Sequence, residues 1–265
     1  TTATDSNNTA VGYDAGVSVT TGTQNTLIGS IAGDALTDAD KNVVVGFAAL
    51  GSDTLGSKSV AIGDSALTTQ NFTTATNSFN TAVGFEAGAL VTTGTSNTFI
   101  GALAGDAATT GSGNTAVGIT CMSGGTITGG FNTAIGQSAG FDVTSGSSNI
   151  FVGVDSGRSG SPGGSIVGAN NTICLGDENI GACHIQTDWT VASDQRDKTD
   201  FTALDLGLDF VKALAPMTYK WDKRSKYGDK SADGYDLNAQ SPDGTHKEDW
   251  LDIGFKAQDV QALEE

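Results

Sequence analysis

The sequence predicts a mostly β protein. A repetitive β-solenoid, or β-roll, of 17-residue coils spans residues 1–176, a linker spans 177–192, and part of a small α+β domain spans 193–265. Three observations carry this reading. A pentapeptide of the form Asn-Thr-x-Val/Ile-Gly recurs, with variations, nine times between Asn8 and Gly153, and its closing glycines lie 17, 17, 17, 21, 17, 17, 18 and 17 residues apart. Glycine is concentrated in the same stretch, with 32 of 37 preceding Ser193. Basic side chains are nearly absent there, being only Lys41, Lys58 and Arg158, and then gather from Arg196 and Lys198 onward.

Each repeat reads as a strand, a turn and an irregular return. Seventeen residues are too few for a strand-and-helix unit but enough for one solenoid coil. Ten coils rising about 4.8 Å each make a rod roughly 45–50 Å long. Glycines at fixed phases, such as Gly12 and Gly29 or Gly22 and Gly94, mark backbone that takes a positive φ or passes close to another coil. Three residues past the closing glycine stands an Ala in seven of the nine units, including Ala15, Ala32, Ala104 and Ala139. After Gly153 the pattern weakens through Ser165–Gly168 and Thr172–Gly176, as expected of a terminal cap.

The pleat sharpens the prediction, because neighbouring strand residues face opposite ways. One class is always large, mostly β-branched: Val11, Ile28, Val45, Ile62, Val83 and onward. The class before it is also apolar but varies in size, as in Ala10, Leu27, Val44 and Phe99. A lone thin solenoid buries only one of these faces, so the other calls for a partner, and identical chains supply it. The expectation is a self-associating rod, most simply a homotrimer. The repeated Asn (Asn8, Asn25, Asn42 and onward) reads as a structural ladder of amides from coil to coil rather than a binding row. The repeated Thr is broken at Val43, Val60 and Ile150 and lies on the Val11 side, against an ice-binding face.

Composition excludes several function classes. A net charge of −17 repels DNA, RNA and anionic membranes. No run approaches the ~18 apolar residues of a membrane span. Acidic residues fall at shifting phases, so neither a Ca²⁺ repeat nor a carboxylate pair for glycoside hydrolysis is indicated, and no metal or cofactor is expected. Cys121, Cys174 and Cys183 lack metal-ligand spacing and read as small buried thiols. Thr1 in place of Met reads as a fragment or processed chain.

Beyond Gly176 the chain crosses the linker to Ser193. Leu206, Leu208, Phe210, Val211 and Leu214 predict a short amphipathic helix stopped by Pro216. The β-rich Met217–Trp221 follows, then a polar insertion from Arg224 to Trp250 that reads as a long exposed loop. Residues 253–265 read as a strand running into a helix.

The repeats resemble the β-roll heads of trimeric autotransporter adhesins and the repeat regions of phage tail fibres. The segment from Ser193 resembles the intramolecular chaperone, or peptidase S74-type, domain of phage tailspikes, endosialidases and fibres. Four blocks carry that second resemblance: Ser193-Asp194-x-Arg196-x-Lys198, Gly207-Leu208-Asp209-Phe210, Tyr219-Lys220-Trp221, and Gly254-Phe255-x-Ala257-Gln258-x-Val260.

The resemblance implies a domain that helps three chains find register and then cuts itself off at Ser193 through a Ser193–Lys198 dyad. A Ser hydroxyl becomes a useful nucleophile only when a base takes its proton, and Lys serves only if burial keeps it neutral. Five residues apart, the two side chains fall on opposite faces of a strand, or about 140° apart on a helix, so a bend or a neighbouring chain must bring them together. Ser193 Oγ reaches the Ala192 carbonyl through a five-membered ring, favouring cleavage of Ala192–Ser193 in cis, while attack from elsewhere would cut Ser193–Asp194. Asp194 and Arg196 position the strand or stabilise the oxyanion, or else form an ordinary ion pair.

The function so implied is a viral fibre or spike that attaches to a host surface, assembled in the host cytoplasm and located in the virion. Its partners would be two further copies, a host receptor such as a glycan, and other tail proteins; its only enzymatic activity would be self-processing. The alternatives are a bacterial trimeric adhesin and a polysaccharide-degrading tailspike.

Overall fold

The computed structural model divides into two compact units, Thr1–Ile180 and Gly181–Glu265. It describes residues 6–181, 183, 213–214, 216–224, 227–228 and 239–256.

The first unit is a parallel β-solenoid. Its rungs are β1 (Thr9–Val11), β2 (Thr26–Ile28), β3 (Val43–Val45), β5 (Val60–Ile62), β7 (Thr81–Val83), β8 (Thr98–Ile100), β9 (Thr115–Val117), β10 (Thr133–Ile135), β11 (Ile150–Val152) and β12 (Ile173–Leu175), which form one ten-stranded sheet in chain order. The register is the repeat itself: Thr9 pairs with Thr26, Ala82 with Phe99 and Ile135 with Val152. Two short strands, β4 (Gly56–Ser57) and β6 (Thr76–Asn77), pair in parallel beside it, where the 21-residue coil accommodates its extra residues. Backbone bonds join the coils outside the rungs as well, as in Gly16 N–H to Ala32 O at 3.0 Å and Thr92 N–H to Thr109 O at 2.9 Å.

From Gly12 to Gly136 the closing glycine of each rung has a φ between +130° and +146°, and its missing side chain is what lets the next coil nest. A Cβ on Gly101 would lie 2.6 Å from the Gly118 carbonyl oxygen.

Inside, the coils pack by matching volumes. The middle rung residues point inward and are buried from Leu27 to Cys174. Where that residue is large, the position that faces it is glycine: Gly88 and Gly105 flank the Phe99 ring, and Gly140 and Gly157 flank Phe151. Where it is Val44, Ala61 or Ala116, the facing position is Leu50, Leu67 or Met122. Those three hold φ near +50°, a strain of about 1–2 kcal/mol apiece that burial of a large side chain, worth about 1.5–3 kcal/mol, offsets. The Ala three past each closing glycine fills a second inner column, with Cys121 and Ser156 as its variants.

Thr172–Gly176 is a full rung, whereas Ser165–Gly168 makes none. It belongs to the long return of the preceding coil, where Ile166 is buried and the Val167 carbonyl accepts from Thr144 N–H. Cys121 and Cys174 are buried as expected, but Cys183, which follows the repeats in sequence, is exposed.

The second unit contains β13 (Met217–Tyr219) and β14 (Asp252–Gly254), paired antiparallel with Met217 opposite Gly254 and Tyr219 opposite Asp252. Both strands fall where the sequence predicts them. The predicted helix over 206–214 lies largely outside the described residues, as does the segment from Ala257.

Candidate functional site

Three arrangements carry functional meaning: the polar ladder in the solenoid wall, its outer face, and the strand pair of the second unit.

Each repeated Asn from Asn25 onward is buried, Asn8 is half-buried, and all bond along the rod axis. Asn97 Nδ2 donates to Gly111 O at 2.9 Å, and its Oδ1 accepts the backbone N–H of Asn114 at 2.9 Å. Asn25, Asn42, Asn114, Asn132 and Asn149 do the same with their own coils. The accepting carbonyl lies three residues before the next coil's Asn position, where Gly recurs because a side chain would crowd the neighbouring coil: a Cβ on Gly94 would lie 2.3 Å from Gly111 O and 3.0 Å from Asn97 Nδ2. No amide is left free for a ligand, so the ladder is structural.

Two rungs lack the Asn: Thr172 stands in its place at the last one, and Ser59 within the rod. The gap at Ser59 is filled by Gln70, which donates through Nε2 to Ser59 Oγ at 2.9 Å and to Asp53 Oδ2 at 2.6 Å, and accepts from Asn80 Nδ2 at 2.7 Å. Asp53 Oδ1 also accepts from the backbone of Gly56 and Phe72, both at 3.0 Å. Burial pushes the Asp53 carboxyl above the ordinary aspartate value, and these bonds oppose the rise only in part. This network was not anticipated. Its one sequence signal is that Asp53 and Gln70, 17 residues apart, occupy an inner column that Leu36 and Val91 fill in neighbouring coils.

The outer face of the rungs carries the Thr column and the Val11 class together. The Val11 class is half-exposed along the whole rod, with Val11 at 58%, Ile100 at 41% and Val152 at 40%. The Thr column gives way to Val43, Val60, Ile150 and Ile173 on the same face. One apolar face is thus buried and the other open, as the pleat predicts. Burial raises the Cys121 thiol to about 12, so it is an inert wall residue.

In the second unit the Tyr219 and Trp221 rings meet edge to face at 5.4 Å, and a Cβ on Gly254 would lie 3.2 Å from the Tyr219 ring. Two of the four blocks singled out in the sequence are therefore partners in one antiparallel pair, in which a side chain at Gly254 would crowd the Tyr219 ring. The polar insertion is tied down on both sides of its centre. Asp222 accepts from Tyr227 Oη at 2.7 Å and from Gly244 N–H at 2.8 Å, and the Tyr227 and His246 rings meet at 4.9 Å. Glu248 N–H donates to the Trp221 carbonyl at 2.9 Å, closing the base of the loop.

The predicted catalytic Ser193 and Lys198, the supporting Asp194 and Arg196, and the scissile-bond residue Ala192 lie outside the described residues. Among the described residues no cluster of His, Cys, Asp and Glu is arranged to hold a metal ion, and no helix is long and apolar enough to cross a membrane.

Comparison with known proteins returned one family. Residues 193–264 match the model of the peptidase S74 family, described as chaperone of endosialidase. No curated protein and no solved structure matches the chain. The chain thus joins a parallel β-solenoid of 17-residue coils to a C-terminal segment that matches the endosialidase chaperones, a combination that fits a tail fibre with a C-terminal chaperone domain.

Proposed function

We propose that this chain is the shaft of a homotrimeric phage tail fibre or spike that attaches the virion to a host surface. Its C-terminal domain brings three chains into register and then removes itself at Ser193. The observation that carries this reading is the chaperone-family match lying directly behind a solenoid whose outer rung face is apolar and open. An open strip of that kind favours burial against further copies, and a repetitive rod gains most from a temporary folding aid, since a slip by one coil exchanges near-identical contacts.

In the proposed cleavage, Lys198 in its neutral form takes the proton of Ser193 Oγ, which attacks a carbonyl carbon beside it. In the cis route the Ala192 carbonyl moves from the Ser193 nitrogen to Oγ as an ester, the proton passes to the freed amine, and water then releases Ala192 as a carboxylate. Removing the chaperone leaves the rod without a route back, so it is held kinetically.

The test is the intact mass, under denaturing conditions, of freshly expressed protein beside a Ser193→Ala variant. Two fragments meeting at Ala192–Ser193 or Ser193–Asp194, against one uncut species in the variant, support self-processing and identify the bond. One uncut mass in both leaves the domain a permanent folding or capping unit.

A further inference from the structure

The residue directly after each closing glycine forms a straight outer column. Its carbonyl accepts a backbone N–H of the next coil, Ile31 on Tyr13, Ser65 on Phe47 and Leu103 on Phe85, each at 2.8 Å. Successive members therefore stand one coil, about 4.8 Å, apart. Tyr13, Phe47, Phe85, Ile119 and Val154 are large, apolar and at least half exposed. The coils between them carry Ser30, Asp64, Ala102 and Gln137 instead. Large apolar side chains alternate with small or polar ones through nine coils without exception, which lays a two-coil period over the 17-residue one.

Nothing inside the chain requires the alternation. The column points away from the core, and aromatic side chains stack readily at the strand spacing, so large residues in consecutive coils would fit. The pattern matches a surface of the same two-coil period, and another copy of this chain has it. Charge points the same way. The outward positions of all ten rungs beside the column carry no charged side chain, in a chain of 13 basic and 30 acidic residues. Copies at a net charge of −17 meet at least cost there. A strip of ten rungs at about 4.8 Å each and roughly 15 Å wide offers some 700 Å² per copy, close to the ~800 Å² per partner of a stable interface.

We propose that this column fixes the axial register between copies of the chain. It rests on the trimeric reading above and adds the rule that sets the offset. In register, large residues of the copies meet at shared levels, and Asp64 and Gln137 keep levels of their own that stay hydrated. A slip of one coil sets large apolar side chains against Asp64 and Gln137 and takes water from a carboxylate. A slip of two coils restores the match but uncovers rungs at both ends. The 17-residue repeat, which by itself leaves the offset nearly degenerate, thereby acquires a sense of odd and even.

The experiment uses the full chain with Cys183→Ser, which leaves only the buried Cys121 and Cys174, mixing variants that each add one exposed cysteine at Ile119, Gln137 or Val154 and linking them with a short bismaleimide. The expected result is a link between two Ile119→Cys chains at least about tenfold above that between Ile119→Cys and Gln137→Cys chains, one coil apart. In an Asp64→Phe/Ala102→Phe/Gln137→Phe background, cysteines at Ile119 and at Ile135, an exposed rung residue of the next coil, are expected to link freely. Equal same-level and one-coil links in the otherwise unchanged chain would overturn the rule, whatever the triple variant does. A trimeric native mass with no link at Ile119 also overturns it and leaves the trimer standing. A monomeric native mass removes both.

Discussion

Gly101 shows how little room one coil leaves the next. Its φ of +130° and the Gly118 oxygen beside it exclude any side chain. Gly101→Ala is expected to cost about 1–3 kcal/mol in backbone strain and a similar amount in crowding, whereas Gly181→Ala, with open space around it, is expected to leave the melting temperature unchanged. Asp53→Asn tests the buried network. The new Nδ2 would face the Gln70 amide, donor against donor, at a cost of about 1–3 kcal/mol in denaturant melts. The pH dependence has a definite sign. Because the folded Asp53 value is raised, the native state holds this proton when the unfolded chain has lost it, so the group's contribution falls as pH rises from 3.8 through the folded value. Asp53→Asn is expected to flatten that slope in melts taken from about pH 4 to about pH 7. The Asn and Gly roles were legible in sequence because most coils repeat them at one phase. Asp53 and Gln70 were not, since they break an inner column that shows itself only once the coils are stacked.

At the scale of the element, the rung is a unit of volume as much as of hydrogen bonding. Phe99 fills space left by two glycines from adjacent coils, so Phe99→Ala is expected to cost about 3–5 kcal/mol, measured by urea unfolding. The rungs could be placed from sequence to the residue, because strand period and repeat agree. The returns could not, since coils of 18 and 21 residues shift the inner Val and Leu positions and place Ile127 and Phe72 where the phase gives no warning. The long last return is the same case, which is why Ser165–Gly168 imitates a rung and is none. In the second unit the strands β13 and β14 could be read separately. Their pairing could not, because the whole polar insertion lies between Tyr219 and Asp252 and no periodicity spans it.

At the scale of the molecule, thiol accessibility separates the two units without any partner. Cys183 is expected to react rapidly with a thiol reagent in the native protein, while Cys121 and Cys174 react only as the solenoid unfolds, so labelling against denaturant reports the rod alone. The chaperone-family match was legible only through the order of four short motifs, because a Ser and a Lys five residues apart carry little signal on their own.

Apart from the Asn oxygen missing at Ser59 and Thr172, the rungs of the solenoid present the same carbonyl row, the same Asn oxygen and the same bare glycine to the neighbouring coil. A gene encoding such a chain can gain or lose reach by unequal crossing-over, with each inserted coil arriving already sealed on both sides and adding about 4.8 Å. Where one ring is housed by two coils, as Phe99 is by Gly88 and Gly105, the smallest cassette that travels without leaving a void is the pair. The distance between the rod's two ends is therefore a heritable quantity that changes in steps, independently of whatever the ends carry.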